Sequence, residues 1–240
     1  MNGDIDLNTW TPGEGISFSA WQEERERWLH PEKADEPEET KWTSYVCGLD
    51  LGQRQDFSAL AICEIRENKH FEKFFYVRGL KRFPLHQTYT KLAERVAKVD
   101  AQLKGEFTNV TWAADLGGPG PGVLEILERK SAYKMDLYKV LLTGGTASTW
   151  DGHEIRVSKS NLISTLIAAF DADHIFISSK SRELENIKTE LQNFEVHLSA
   201  NEGRETYGGN VSAGHFDLLI SLALAVYIGS ELGARGPTSW

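Results

Sequence analysis

The chain has 240 residues, of which 40% are hydrophobic and 25% charged, and its net charge is −9. That suits one large domain, or one domain with an extension, around an ordinary core. It excludes a membrane-spanning chain, because no run of 18 apolar residues occurs, and at first sight it argues against a nucleic-acid partner.

The acidity is uneven. Residues 1–43 hold 11 acidic and 4 basic side chains, a net of −7, whereas the remainder hold 24 and 22, a net of −2. The body can therefore present a basic face from Lys81, Arg82, Lys130, Lys134, Lys139, Arg156 and Lys159. No dense basic run exists, so tight metal-free DNA binding is not expected. The start Met1-Asn2-Gly3-Asp4 has neither a basic nor an apolar region of the secretory type, which predicts a protein that is not secreted and works in a cytoplasm. Cys47 and Cys63 lie in apolar runs without metal-ligand spacing and read as structural thiols.

Residues 1–43 read as an extension and linker. They carry four of the seven tryptophans, Trp10, Trp21, Trp28 and Trp42, which a merely solvating tail would lack. Trp21 and Trp28 share one face of a predicted short helix, which either docks on this protein's own body or meets a partner domain. Glu32 to Glu39 reads as a flexible acidic linker. The predicted domain spans residues 44–233, and residues 234–240 form a tail.

Three strands open the domain: Tyr45–Leu51, Ser58–Arg66 and Phe71–Leu80, an antiparallel meander. Helical spacing follows over Leu85–Leu103. Next come a strand at Asn109–Asp115, a helix at Gly122–Lys130 and a strand at Leu137–Thr143. Residues Gly144–Val157 read as a loop or hairpin. Then follow a helix at Lys159–Phe170, a short strand at His174–Ser178 and a helix at Arg182–Phe194. Val196–Ala200 and Arg204–Tyr207 read as edge strands, and Gly214–Leu232 as the last helix. A meander followed by alternating strands and helices predicts an α/β fold: a mixed sheet with helices on both faces.

Three aspartates stand out. Asp50 and Asp115 each sit where an apolar strand gives way to glycine, in Gly48-Leu49-Asp50-Leu51-Gly52 and Asp115-Leu116-Gly117-Gly118. Asp217 opens the last helix, in Gly214-His215-Phe216-Asp217. Strand ends and a helix start can converge across the 65 and 102 residues between them. Clustered carboxylates repel one another unless a cation neutralises them, and hard divalent ions suit oxygen ligands. Two such ions make a site for cutting phosphodiester bonds. Taken singly, each motif has other readings. Both glycine loops also fit structural turns, or the phosphate loops of an actin-like ATPase or kinase. Asp217 alone fits an acid placed favourably at a helix N-terminus.

Together the three segments resemble the C-terminal nuclease domain of tailed-phage large terminase subunits, over roughly residues 43–232. Val157-Ser158-Lys159-Ser160 and Glu190-Leu191-x-x-Phe194 also look like that family. The resemblance implies an RNase H-like nuclease with Asp50, Asp115 and Asp217 as its metal-binding, catalytic triad. It implies two Mg²⁺ or Mn²⁺ ions, with Asp50 bridging them. It also implies double-stranded DNA as substrate, cut during genome packaging in the cytoplasm of an infected bacterial host. The expected partners are an ATPase motor part, a small terminase subunit and the portal. The family's His-Asp-Asp reads here His215-Phe216-Asp217, so His215 is an auxiliary candidate beside Asp56, and Lys159 is a candidate DNA contact. No Gly-x-x-x-x-Gly-Lys-Ser/Thr run is present, so P-loop motor chemistry is not expected of this chain. A non-catalytic docking module and a Holliday-junction resolvase are the remaining alternatives.

Overall fold

The computed structural model describes residues 42–52, 56–107, 109–131, 135–144, 147–198, 205–208 and 216–232. The tryptophan-bearing helix expected before residue 42, the tail after residue 233 and His215 lie outside them.

The chain forms β1 (Trp42–Asp50), β2 (Ala59–Glu67), β3 (Lys73–Arg82), α1 (Tyr89–Glu106), β4 (Val110–Asp115), α2 (Gly120–Lys130), β5 (Asp136–Thr143), β6 (Thr149–Asp151), β7 (Glu154–Ser158), α3 (Lys159–Asp171), β8 (Ile175–Ile177), α4 (Leu184–Asn193), β9 (Glu195–Leu198), β10 (Glu205–Gly208) and α5 (Asp217–Leu232). Eight strands make one mixed sheet in the order β6-β7-β5-β4-β1-β2-β3-β8. The expected meander is present as β1, β2 and β3, antiparallel throughout. Each of β4, β5 and β7 adds in parallel after a crossover.

Two expectations are refined. Residues 144–157 hold a hairpin, and its second strand β7 joins the main sheet beside β5. The pair β9 and β10 forms a separate two-stranded sheet rather than edges of the main one.

Helix starts follow their capping chemistry. The Thr88 hydroxyl accepts from the Lys91 amide and opens α1. Ser158 does the same for α3 through the Asn161 amide. Strand alternation divides the core in two. Val46, Ala59, Ala61, Cys63 and Ile65 face α3, α4 and α5. Tyr45, Cys47, Leu49, Leu60, Ile62 and Trp112 face α1 and α2. Both cysteines are buried free thiols, as expected. Trp112 satisfies its indole N–H on buried Asp100 at 2.9 Å, and the Asp100 carboxylate also accepts from Ser131 Oγ at 3.1 Å. Helix α5 is apolar all round because it is covered all round: it lies on β1, β2 and β4 with α3 and α4 against it. Among the described residues, no helix is long and apolar enough to cross a membrane.

Candidate metal centre

The register of the sheet brings the three aspartates together. Gly48 on β1 lies directly under α5. A Cβ there would overlap the Ser221 carbonyl oxygen and sit 2.8 Å from the Ala225 nitrogen. Side chains alternate along a strand, so Asp50 shares the Gly48 face. One helical turn before Ser221 stands Asp217, the first residue of α5. Two strand residues rise about 6.6 Å and one helical turn about 5.4 Å. Asp50 and Asp217 therefore come to nearly the same level. Strand β4 runs parallel to β1 with Leu49 opposite Ala114, so the next row sets Asp50 beside Asp115. Ala113 belongs to the core under α5, and Asp115 shares its face.

The glycine loop after β4 serves Asp115 itself. The Gly117 amide donates to Asp115 Oδ1 at 2.8 Å. A Cβ at Gly117 would stand 3.2 Å from both Asp115 carboxylate oxygens, so the absence of a side chain keeps the carboxylate clear. Gly118 has φ +54° and closes the turn into α2, the left-handed conformation that glycine tolerates best.

Electrostatics report the same convergence. Burial drives the Asp50 carboxyl well above its usual range, and the charges of Asp115, Asp217 and Glu190 push it further. Burial also raises Asp115, against the Gly117 hydrogen bond and the positive charge of Lys159. Among the described residues, the carboxylates of Asp115, Asp217 and Glu190 all act unfavourably on a charged Asp50. Carboxylate oxygens are the donor type that a hard divalent cation takes. Among the described residues, no three such side chains are yet drawn close enough to grip an ion as they stand.

The other residues picked out in the sequence divide. Lys159, the exposed first residue of α3, is near enough for its charge to lower Asp115. Asp56 is exposed and lines an open cleft of about 480 Å³ with Gly52, Ser58, His86, Gln87 and Leu92. Leu92 belongs to the core beneath α1, on the other side of the sheet from Gly48.

Sequence reasoning missed Glu190 as a member of the site. It is 3% exposed on α4 and its charge acts on Asp50. Its Oε2 accepts from the Leu219 amide at 2.7 Å and its Oε1 from the Leu218 amide at 3.3 Å. The Arg82 guanidinium ion-pairs with it. The available signal was spacing: Ile187, Glu190, Leu191 and Phe194 fall on one helical face, so Glu190 lies on the apolar side of α4.

These shifts make a pH prediction. Burial lifts the Glu190 carboxyl from 4.5 to about 7, against the Leu219 amide and Arg82. Between those values the folded chain binds more protons than the unfolded chain, so stability falls as pH rises. Asp50 and Asp115 act in the same direction. In EDTA, the melting temperature should therefore be higher at about pH 5.5 than at about pH 7.5. Thermal unfolding followed by circular dichroism measures it, and the opposite trend would remove the argument for mutual repulsion.

Comparison with solved structures gives the fold its name. The chain is similar to the large terminase nuclease from thermophilic phage G20c at TM-score 0.53 and 20% identity, covering 77% of this chain and 82% of that one. The fold is that of a large terminase nuclease. It is RNase H-like, as the resemblance of the three aspartate segments implied. The likeness to the human cytomegalovirus terminase nuclease domain is looser, at TM-score 0.48 and 14% identity over 81% of this chain and 87% of that one. Looser still is Thermus thermophilus RuvC, at TM-score 0.41 and 10% identity over 80% of this chain and 97% of that one. These two carry no weight beyond the first. No family model and no curated protein matches the sequence. Within the large-terminase nuclease fold, the three aspartates occupy the ends of β1 and β4 and the start of α5.

Proposed function

We propose that this chain is a divalent-cation-dependent DNA endonuclease of the terminase type, cutting concatemeric duplex DNA during phage genome packaging. The observation that carries the reading is the convergence of Asp50, Asp115 and Asp217 on one face of the sheet, with the Asp50 carboxyl pushed up by both neighbours. Asp50 lies between the other two and is the ligand that two ions would share, with Asp115 and Asp217 each completing one. Bound Mg²⁺ or Mn²⁺ would supply an activated water and charge stabilisation at the leaving oxygen. The chain's own residues hold and orient. The Gly117 amide fixes the Asp115 carboxylate, and Lys159 offers a positive charge to a DNA phosphate at the rim.

An actin-like phosphate loop is the weaker reading, because the Gly117 amide is already taken by Asp115. Residues 44–233 are assigned as the nuclease domain. Residues 1–43, with their net charge of −7 and four tryptophans, are assigned to contacts with the ATPase part, small subunit or portal in the host cytoplasm.

The test is supercoiled plasmid incubated with the protein in Mn²⁺, in Mg²⁺ and in EDTA. Nicked and linear products in metal, and none in EDTA, are expected. Intact plasmid in both metals, with the protein folded, would turn the reading toward a docking module.

A further inference from the structure

Helix α5 brings Asp217 to the site as its first residue, so the position of that carboxylate depends on what holds the helix start. The first amides of a helix have no partner within the helix. The residue before Asp217 is Phe216, whose side chain offers no acceptor. Instead, the amides of Leu218 and Leu219 donate to the two oxygens of Glu190, a residue of another helix. Arg82 holds Glu190 through their ion pair, on Oε1, the oxygen that also accepts from the Leu218 amide. Arg82 is itself placed by the sheet, since its Cα pairs with Ala59, whose Cα pairs with Asp50 on the next strand. Its guanidinium lies 5.5 Å from the Phe57 ring centre. Phe194, four residues after Glu190, meets Phe216 edge to face at 5.4 Å and closes the junction. A continuous strut thus runs from the strand row that holds Asp50, through Arg82 and Glu190, to the turn that holds Asp217.

We propose that Glu190 and Arg82 are positioning residues that set the separation of Asp217 from Asp50, and so the affinity of the site for its divalent ions. This rests on the nuclease reading above and adds to it a pair that need not touch metal or DNA. Simple capping of α5 would stabilise the helix and leave metal affinity unchanged. Positioning predicts the reverse emphasis. Residues that orient metal ligands typically change affinity about tenfold to a hundredfold when replaced.

The experiment is Mn²⁺ binding by the full chain without DNA, followed by electron paramagnetic resonance of the free ion, well below the melting temperature. Three proteins are compared: wild type, Asp50→Asn and Glu190→Gln. Wild type should bind Mn²⁺ and Asp50→Asn should not. Glu190→Gln keeps one acceptor oxygen but loses the charge and turns an N–H toward an amide. Its half-saturating Mn²⁺ should rise at least about tenfold. If wild type binds no Mn²⁺, the underlying reading and this proposal both fall. If Glu190→Gln binds like wild type and only melts earlier, Glu190 is a cap and positioning is refuted. Arg82→Met covers the case in which Glu190→Gln does not fold. It leaves Glu190 its two helix amides and removes only the ion pair at Oε1, and it too should weaken Mn²⁺ binding by several fold. Unchanged binding there would refute the strut.

Discussion

Asp50→Asn should abolish metal-dependent plasmid cleavage while raising the melting temperature of the metal-free protein. The two effects share one cause. Asp50 stands at the centre of the carboxylates, buried and pushed upward by Asp115, Asp217 and Glu190. Its charge is unfavourable to the fold unless a cation answers it. The amide is nearly the same size and carries no charge, so repulsion is relieved with little change in packing. The metal-free variant should therefore melt higher than the wild type in EDTA. The same amide is a poor ligand for a hard ion. Cleavage should fall at least about a thousandfold, which is roughly 4 kcal/mol of transition-state stabilisation. Thermal unfolding in EDTA and plasmid nicking in Mn²⁺ measure the two sides. A variant that is both less stable and inactive would mean that Asp50 supports the fold, and would sink the assignment. This opposition of stability and activity marks a residue kept for chemistry rather than structure.

The second large effect is structural. Gly48→Ala should destabilise the protein by about 3 kcal/mol or more, because overpacking against fixed neighbours is costly. The added methyl would meet the Ser221 carbonyl and the Ala225 nitrogen, both backbone atoms of α5. Neither can swing aside as a side-chain tip could. The helix must lift, and Asp217 moves with it, so whatever folds should also lose cleavage. Gly105→Ala is the control. It lies in the last turn of α1 with nothing within 4 Å of the added carbon. There the change should stabilise by about 0.5–1 kcal/mol, as expected for alanine over glycine within a helix. Denaturant unfolding of both variants measures the contrast. Similar midpoints for the two would mean that α5 does not rest on β1 as described.

What the sequence made legible was chemistry tied to local pattern. Asp50 and Asp115 stood at strand ends because an apolar run met glycine, and Asp217 stood at a helix start because an apolar run followed it. The meander and crossovers were legible from alternation and helical spacing. What it hid depended on contacts between distant segments. Glu190 stood out only as part of a family-like segment, and its place beside the aspartates shows once α5 brings its amides onto it. Gly48 reads as a turn glycine, yet its role is to let a helix sit against β1. The place of β8 beside β3 was also hidden, since nothing in its three residues says which edge it joins. The ribbon of β9 and β10 looked like sheet edges because a hairpin pattern does not say what the hairpin pairs with.

The eight-stranded sheet ends on both sides in a strand of only three residues, β6 at one edge and β8 at the other. An open edge invites another chain to add a strand, and short edges give such a guest little ladder to hold. The central strands, long and apolar enough to template aggregation, are thereby shielded. Two short edges thus do part of what a closed barrel would do by having none.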